Sequence, residues 1–413
     1  MPLCHRALAM DAFAVYLILR FCSALFFSLI FTVNMLYQVT VVQLTPLQLV
    51  LVGTILEATV FIFEIPTGIL ADVKSRRLSV IIGHALMGLG FVVEGSVPVF
   101  GAVALAQVLW GFGYTFTSGA TQAWIVDEIG EERAGEAFLR GSQAGQAGRL
   151  IAIPISIALG SVLVRLPVLL GGGSMILLAI FLALTMTEEG FTPTPPEDRT
   201  TWAMMLRTVQ DAQRMVRRQP LLLALLGIGL FYGLYSEGLD RLWTPHLLEN
   251  FVLPSWLAGT DAVVWFGVVR GVLAIVSLVA TEVVRRRVDM NRWASLGQAL
   301  MWNTGGIILA LAGFGLTRSF WVAVALYWAV GVLRGIHGPL SSTWFNGRID
   351  DPQVRATMFS VQGQVDAIGQ ITSGPVVGLI GNSSIRAALV ASAAILSPVL
   401  PLYSMVIRRG EHG

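Results

Sequence analysis

Charge is scarce in this chain. Of its 413 residues only 13% are Asp, Glu, Lys or Arg, about half the roughly 25% that a soluble domain carries, which argues against a water-soluble protein. Lysine is scarcer still: Lys74 is the one lysine, and every other strongly basic residue is arginine. Two cysteines, Cys4 and Cys22, supply neither a disulfide framework nor metal-ligand spacing. The five histidines, His5, His84, His246, His337 and His412, show no such spacing either. There is no phosphate-cradling glycine loop, no nucleophile elbow and no ATP motif. An ATP-driven pump and a membrane enzyme are disfavoured on that ground. No cofactor, metal or catalytic residue is expected, and no nucleic-acid partner.

What the chain has instead is apolar length. Hydrophobic residues make up 55% of it, and the mean hydropathy is +0.73. Twelve runs stand out, at about 12–36, 47–70, 78–98, 100–125, 138–163, 166–186, 219–245, 259–284, 293–315, 319–344, 356–380 and 385–407. A hydrocarbon core ~30 Å thick needs about 20 residues of helix. Lipid cannot satisfy free backbone N–H and C=O groups, so runs of this length fold as helices. Polar turns separate them, among them Gln43 to Pro46, Asp127 to Arg133, Arg285 to Arg292 and Arg348 to Arg355. The first run is too long for a signal-peptide core and lacks a small-residue cleavage pattern, so it is expected to persist as a span. The fold expected is an all-α membrane protein, with twelve transmembrane helices in two pseudo-symmetric six-helix bundles.

The basic residues orient the spans. With the N-terminus inside, the cytoplasmic segments hold eighteen Lys and Arg, and the external ones only Arg165, Arg318 and Arg386. That is a strong positive-inside bias, and it places both termini in the cytoplasm. The long break after the sixth run divides the chain into a first bundle over 1–186, a cytoplasmic linker over 187–218 and a second bundle over 219–413. Within the linker, Phe191 to Arg199 is rich in proline and charge. Trp202 to Arg218 then sets Trp202, Met205, Leu206, Val209 and Val216 near one face and arginines on the other, the pattern of an amphipathic helix on the membrane surface.

The two halves look alike. Gly111 to Trp124 ends in Thr121-Gln122-Ala123-Trp124, followed by an acidic stretch and Arg133-Ala134. Gly331 to Trp344 ends in Ser341-Ser342-Thr343-Trp344, followed by Asp350-Asp351 and Arg355-Ala356. The near-constant spacing fits a duplicated six-span unit, an architecture of carriers that bind substrate near the membrane midplane.

The most distinctive segment is Gly68-Ile69-Leu70-Ala71-Asp72-Val73-Lys74-Ser75-Arg76-Arg77, a charged turn between the second and third spans with a decayed counterpart at Ala280 to Arg286. Its order is similar to the cytoplasmic loop signature of the major facilitator superfamily, approximately G-x-L-A-D-[R/K]-x-G-R-[R/K]. Gly68, Leu70, Ala71, Asp72, Arg76 and Arg77 stand in register; Val73 and Ser75 replace the usual base and glycine. With twelve spans, a 6+6 repeat and a long central loop, the resemblance covers essentially the whole chain. Phe63 to Gly68 and Ala123 to Glu128 look like the drug-efflux branch, related to tetracycline, macrolide and multidrug exporters. The chain departs from that branch at Gln107 to Gly113, which lacks the arginine of R-x-x-Q-G-x-G, and at Gly145 to Gly160, where the Gly-Pro antiporter motif is largely absent. The loop match implies a cytoplasmic latch made of Gly68, Asp72, Arg76, Arg77, Asp127 and Glu128. Asp72 is expected at a helix N-terminus, whose dipole favours a carboxylate, with the eleventh span near Ala356 as candidate. Arg76 or Arg77 is expected beside Asp127 or Glu128.

Charges inside spans are costly and usually functional. By residue count Glu57, Arg149, Arg270, Arg334 and Asp366 fall near mid-membrane, Arg20 and Glu64 nearer the cytoplasm and Glu94 nearer the exterior. Glu57 and Asp366 lead the candidates for carrying a coupling proton, followed by Glu64 and Glu94. Arg20, Arg149, Arg270 and Arg334 are the buried charge partners, with static Arg20–Glu64 or Arg334–Asp366 pairs as the structural alternative. The substrate cavity is expected between spans one, four, seven and ten. Its candidates are Asn34, Tyr37, Gln107, Tyr114, Tyr232, Tyr235, Glu237, Trp243, Trp328 and His337, alongside Arg334. Aromatic and apolar walls with few charges suit amphiphilic, often cationic, compounds.

These readings favour a secondary active transporter: a monomeric, proton-coupled exporter of small amphiphilic compounds in a bacterial cell inner membrane, working by alternating access. Its partners are a small-molecule substrate, protons and the bilayer. Two alternatives stay open. One is an uptake or lipid-translocating carrier of the same fold. The other is a non-transporting membrane sensor, which needs an extra domain or longer tails than Met1 to Asp11 and Arg408 to Gly413.

Overall fold

The apolar runs fold as helices whose ends are set by short-range chemistry. The computed structural model describes residues 10–193, 220–252, 261–287, 292–346 and 352–410. Among the described residues there are fourteen α-helices and no strand: α1 (Ala12–Thr40), α2 (Pro46–Val73), α3 (Arg76–Ser96), α4 (Phe100–Thr117), α5 (Ala120–Ile129), α6 (Glu131–Val162), α7 (Leu166–Thr185), α8 (Pro220–Glu249), α9 (Ala262–Arg287), α10 (Trp293–Leu316), α11 (Phe320–Asn346), α12 (Pro352–Ser383), α13 (Ile385–Leu396) and α14 (Val399–Gly410). Asp11 opens α1 by accepting the Ala14 N–H at 3.2 Å, and Ser384 opens α13 by accepting that of Ala387 at 3.2 Å. Such side-chain oxygens satisfy donors that the first helical turn leaves free. Pro46 opens α2, where its missing N–H costs nothing.

Two of the twelve expected spans are each built from two helices. The fourth breaks at Ser118–Gly119, where Gly119 takes φ +75°, and the last breaks at Ser397–Pro398 between α13 and α14. A left-handed glycine and a proline without an N–H are standard interruptions of a helix. The turn expected from Asp127 to Arg133 is instead helical except for Gly130, at φ +82°. The helices also outrun several expected ends: α8 continues through Pro245 to Glu249, and α9 continues through Arg285 to Arg287. In that decayed copy of the loop, Arg286 pairs with Glu282 at 2.6 Å, one turn back on the same helix.

Among the described residues nine helical segments are long and apolar enough to cross a membrane, with α13 and α14 counted together. The long helices outside that set are α4, α8 and α12. Of these, α8 carries Glu237, Asp240 and Arg241 within its length.

The chain divides into two compact units, residues 1–43, 55–202 and 261–267 in the first, and 44–54, 203–260 and 268–413 in the second. This differs from a division into 1–186, 187–218 and 219–413 in giving the start of α2 to the second unit and the start of α9 to the first. Residues 194–218 of the expected linker, with the amphipathic stretch from Trp202 to Arg218, lie outside the described residues. In the first unit α1 lies along α6, and α3 is held between α4 and α7. A Cβ added at Gly83 would stand 2.6 Å from the Gly113 carbonyl oxygen, and one at Gly88 2.6 Å from that of Gly172. Glycine at these positions lets α3 meet both neighbours almost backbone to backbone, the close packing that small residues permit in lipid. In the second unit α8 lies along α12, and α10 is held between α11 and the α13–α14 pair. The order of neighbours is the same in both units, which is the pseudo-symmetry of the fold.

Candidate functional site

The charged loop signature lies at the junction of α2 and α3. Ser75 has extended backbone (φ −177°), accepts the Leu78 N–H at 2.9 Å and donates its hydroxyl to Glu188 Oε2 at 2.6 Å. Serine in place of the family's glycine thus has a local reason: an extended φ needs no glycine, and the hydroxyl caps α3. Arg76 forms an ion pair with Asp127, donates to the Ala123 carbonyl at 3.3 Å and stands 3.7 Å from Asp72. Arg77 donates its backbone N–H to Glu188 at 2.9 Å and its guanidinium to the Ala183 carbonyl at 2.6 Å, in the last turn of α7. Asp127 and Glu128 occupy the end of α5, where the helix dipole disfavours acids. Arg76 offsets the first. Glu128 gathers the N–H groups of Glu189 (2.7 Å) and Gly190 (2.8 Å) and the Thr187 hydroxyl (2.7 Å). The signature is therefore bound to the segment just after α7, with Glu188 at its centre. Nothing in the pattern around Glu188 singles it out, because it lies in a stretch that reads as linker. Gly68 faces open space, and Asp72 is half exposed. The partner expected for Asp72, near Ala356, has side chains outside the described residues.

The other candidates of the first unit fall in two groups. Asn34, Tyr37, Glu94 and Gln107 are buried where α1, α3 and α4 meet. The Glu94 carboxylate accepts from Gln107 and from Gln38, a neutral amide that no charge census brings forward, and the Glu94 backbone carbonyl accepts from the Tyr37 hydroxyl. Glu57 and Glu64 lie seven residues apart and half-buried on α2, with Tyr114 of α4, itself 47% exposed, in electrostatic reach of both. Arg20 of α1 is half-buried with its Nε unpartnered, and Arg149 of α6 is exposed. The alternative pairing of Arg20 with Glu64 does not form among the described residues.

In the second unit three helices each turn one face to a cavity of about 250 Å³. Tyr232, Tyr235, Ser236 and Asp240 come from α8, Arg334, His337 and Gly338 from α11, and Asp366 and Gln370 from α12. Spacings of three and four residues place each set on one side of its helix. Arg334 donates two parallel bonds to Asp240, Nη1 to Oδ1 at 2.5 Å and Nη2 to Oδ2 at 2.9 Å, the bidentate fork that guanidinium and carboxylate favour. It also lies over the Tyr235 ring, 5.6 Å from the centroid. Tyr232 stacks on His337 at 4.0 Å and 16°, and its hydroxyl is 2.6 Å from that of Thr304. Asp366 accepts from Gln370 at 2.8 Å and has no cation in ion-pair range among the described residues. Arg334 thus pairs with Asp240 and not with Asp366. With that pair neutral, Asp366 supplies the cavity's net charge.

The remaining candidates brace this unit and do not line the cavity. Trp328 donates to the Val269 carbonyl at 2.9 Å, beside half-buried Arg270 on α9. Trp243 stacks on Tyr327 at 4.5 Å. Glu237 is buried 3.5 Å from Arg241, one turn along α8.

A duplicated, all-helical membrane protein with a small polar-aromatic cavity inside one repeat is a solute carrier in form. The chain belongs to the Major Facilitator Superfamily, which it matches over residues 16–374. It is 23% identical over 362 residues to an uncharacterized MFS-type transporter, YxaM, of Bacillus subtilis (strain 168), with 87% of each chain covered. Among solved structures it is similar to the nucleoside transporter NupG, with a TM-score of 0.76 and 15% identity over 96% of this chain and 99% of that one. It is also similar to a bacterial homologue of the human lysosomal transporter Spinster in an inward-facing, unoccupied conformation (TM-score 0.70, 15% identity, 99% and 98% covered). A third is a POT family transporter in complex with 5-aminolevulinic acid (0.69, 12%, 98% and 98%). At such identities the structural likeness establishes the fold. The protein is a multi-pass membrane transporter and not an enzyme. None of these structures is a drug exporter by name, so the narrower resemblance rests on the sequence segments alone.

Proposed function

We propose that this protein is a proton-coupled exporter of small amphiphilic compounds, monomeric in a bacterial inner membrane with both termini in the cytoplasm. The second-unit cavity is the observation that carries this reading. Its volume of about 250 Å³ lies just below the roughly 300–1,000 Å³ of drug-sized sites and so suits only a small cargo. Tyr232, Tyr235 and His337 offer flat faces to an apolar ring or an organic cation. Asp366 offers one negative charge, which either a cationic cargo or a proton neutralises. Cargo and proton then compete for a single carboxylate, and release on opposite sides gives antiport. Glu57, Glu64 and Glu94 rank behind Asp366 for the proton. The network of Asp72, Arg76, Arg77, Asp127 and Glu128 acts as a latch whose rupture shifts the equilibrium between transport states.

The test is transport in inverted membrane vesicles, with an imposed pH gradient followed by a pH-sensitive dye. Amphiphilic cations are expected to dissipate the gradient through the wild type and not through Asp366→Asn. Failure of every compound in a broad panel with the wild type, or an Asp366→Asn variant that behaves like it, refutes the coupling. Drug susceptibility of a pump-deficient host separates export from uptake.

A further inference from the structure

Two of the three helices around the second-unit cavity, α8 and α12, run side by side almost backbone to backbone. A Cβ added at Gly233 would stand 2.1 Å from the Asp366 carbonyl oxygen, and one at Gly369 2.6 Å from that of Leu230. Small residues permit such an approach between helices in lipid. Gly229 meets Gln362 and Gly238 meets Val377 in the same order, so the two helices are parallel. Ser236 and Gln370 therefore each stand one turn beyond the Gly233–Asp366 contact, and both line the cavity with Asp366.

That register gathers acceptors at one end of the cavity. Gln370 donates to Oδ2 of Asp366 at 2.8 Å, while Oδ1 accepts from no described residue and is not closed off from the cavity. Ser236 donates its hydroxyl hydrogen to the Gly233 carbonyl at 2.9 Å, which leaves the lone pairs of Oγ for a donor. The aromatic rings, by contrast, are already engaged. Arg334 lies over the Tyr235 ring at 5.6 Å, Tyr232 stacks on His337 at 4.0 Å, and Tyr232 meets Tyr235 edge to face at 5.5 Å and 82°.

These two facts separate kinds of cation. A quaternary ammonium ion donates no hydrogen bond and is held by aromatic faces closing around it. Here one face of Tyr235 serves a guanidinium and one face of Tyr232 an imidazole. An ammonium with N–H groups finds a carboxylate oxygen and a hydroxyl oxygen without donors, and such charge-assisted bonds are the stronger kind. We propose that the cavity takes primary and secondary amines in their protonated form and discriminates against quaternary ammonium ions. The N–H groups bond to Asp366 Oδ1 and Ser236 Oγ, and the apolar part of the cargo lies against the Tyr232–His337 stack. The assignment rests on the reading of Asp366 as the charge that meets the cargo, and narrows it from organic cations at large to those that donate hydrogen bonds.

Equilibrium dialysis of radiolabelled phenethylamine against the purified protein in detergent, at a pH where the amine is protonated, tests this. N-methylphenethylamine, trimethylphenethylammonium and phenethyl alcohol serve as competitors. Phenethylamine is expected to bind, its N-methyl form to compete within about 3-fold of it, and the trimethyl ion to compete about 10–100-fold more weakly. Ser236→Ala keeps the charge and should weaken both amines by about 3–10-fold while leaving the trimethyl ion unchanged; a gap due to size alone would not respond to it. No binding of phenethylamine to the wild type, a trimethyl ion that competes as well as the amine, or a gap that folded Ser236→Ala leaves intact overturns the assignment. Where that variant does not fold, the wild-type series decides. An equally strong trimethyl ion leaves the charge reading of Asp366 in force, since both ions carry the charge. Phenethyl alcohol competing as well as the amine would overturn the charge reading along with the assignment.

Discussion

Replacing Asp240 by asparagine removes the acid that holds Arg334 and leaves a guanidinium facing the cavity. The size of the effect follows from how far the pair is withdrawn from solvent. Its geometry is bidentate, at 2.5 and 2.9 Å, while its side chains keep 30% (Arg334) and 46% (Asp240) of their exposure. Exposed pairs contribute about 0–1 kcal/mol, and breaking a wholly buried one costs about 3–5 kcal/mol. A half-open pair falls between, so Asp240→Asn should cost about 1–3 kcal/mol, which is about 3–9 °C in midpoint at ~3 °C per kcal/mol. Arg334→Gln on top of Asp240→Asn removes the stranded charge and should recover much of that loss, a coupling of about 1–2 kcal/mol. With Asp240 neutral, Asp366 becomes the acid left for Arg334 in the cavity, so the single variant should also bind cationic cargo less well. The assay is tryptophan fluorescence during heating, on wild type, both single variants and the double variant in one detergent. If the double variant loses the sum of the two single losses, Arg334 and Asp240 are not coupled and the charge accounting for the cavity is wrong.

Gly130→Ala forces a Cβ onto a backbone at φ +82° and ψ 158°, a region essentially confined to glycine, and should cost about 1–3 kcal/mol; an unchanged midpoint would mean that α5 and α6 do not meet in that turn. Glu188→Gln weakens the acceptor for the Ser75 hydroxyl and the Arg77 N–H, for a loss of about 0.5–2 kcal/mol; protease sensitivity just after Thr185 should rise with it. Trp344→Phe deletes an indole donor to the Trp293 carbonyl at 3.1 Å and should cost about 1 kcal/mol in the same melting assay. Gly83→Val drives a branched side chain against the Gly113 carbonyl and should cost about 1–3 kcal/mol or abolish folded expression, read by size-exclusion profile.

The fold is legible in the sequence because lipid leaves the backbone so few solutions. Every long apolar run is a helix or a pair of helices, and the duplicated pattern around Trp124 and Trp344 reflects a repeated order of neighbours. The breaks at Gly119 and Pro398 were not legible, since each is one residue inside an otherwise apolar run. Asp127 to Arg133 misleads in the opposite sense: acids at a helix end look like a loop until Arg76 and the N–H groups of 189 and 190 are seen to offset them. Arg334 and Asp366 draw attention as charges within spans, and both line the cavity. That Arg334 binds Asp240 instead is decided by which faces α8, α11 and α12 turn to one another; counting residues along the runs sets Arg334 level with Asp366 and passes over Asp240, which lies near the end of its run. Gln38 passed unnoticed because a neutral amide carries no charge to explain.

The two units use different chemistry at corresponding places. Trp124 and Trp344 occupy equivalent positions, yet Trp124 donates to the Thr187 carbonyl at 2.7 Å, whereas Trp344 stacks on Trp293 at 5.1 Å and exchanges hydrogen bonds with it. Near Trp124 the junction is ionic, with Arg76, Asp127 and Glu188; near Trp344 it is a pair of indoles. An ionic junction opens readily to water and responds to charge, while a stacked aromatic pair loses apolar contact as it opens. The interiors divide in the same way. The first unit buries its acid among amides with oxygen to spare, and the second exposes its acid to a cavity beside a neutral ion pair. A duplication that kept the helix order and changed these two layers retains one scaffold while giving each half its own polar chemistry. For that reason the stability losses of Glu94→Gln and Asp366→Asn should add, to within about 0.5 kcal/mol, when combined. A strong coupling between them would instead mean that the two polar centres are not independent.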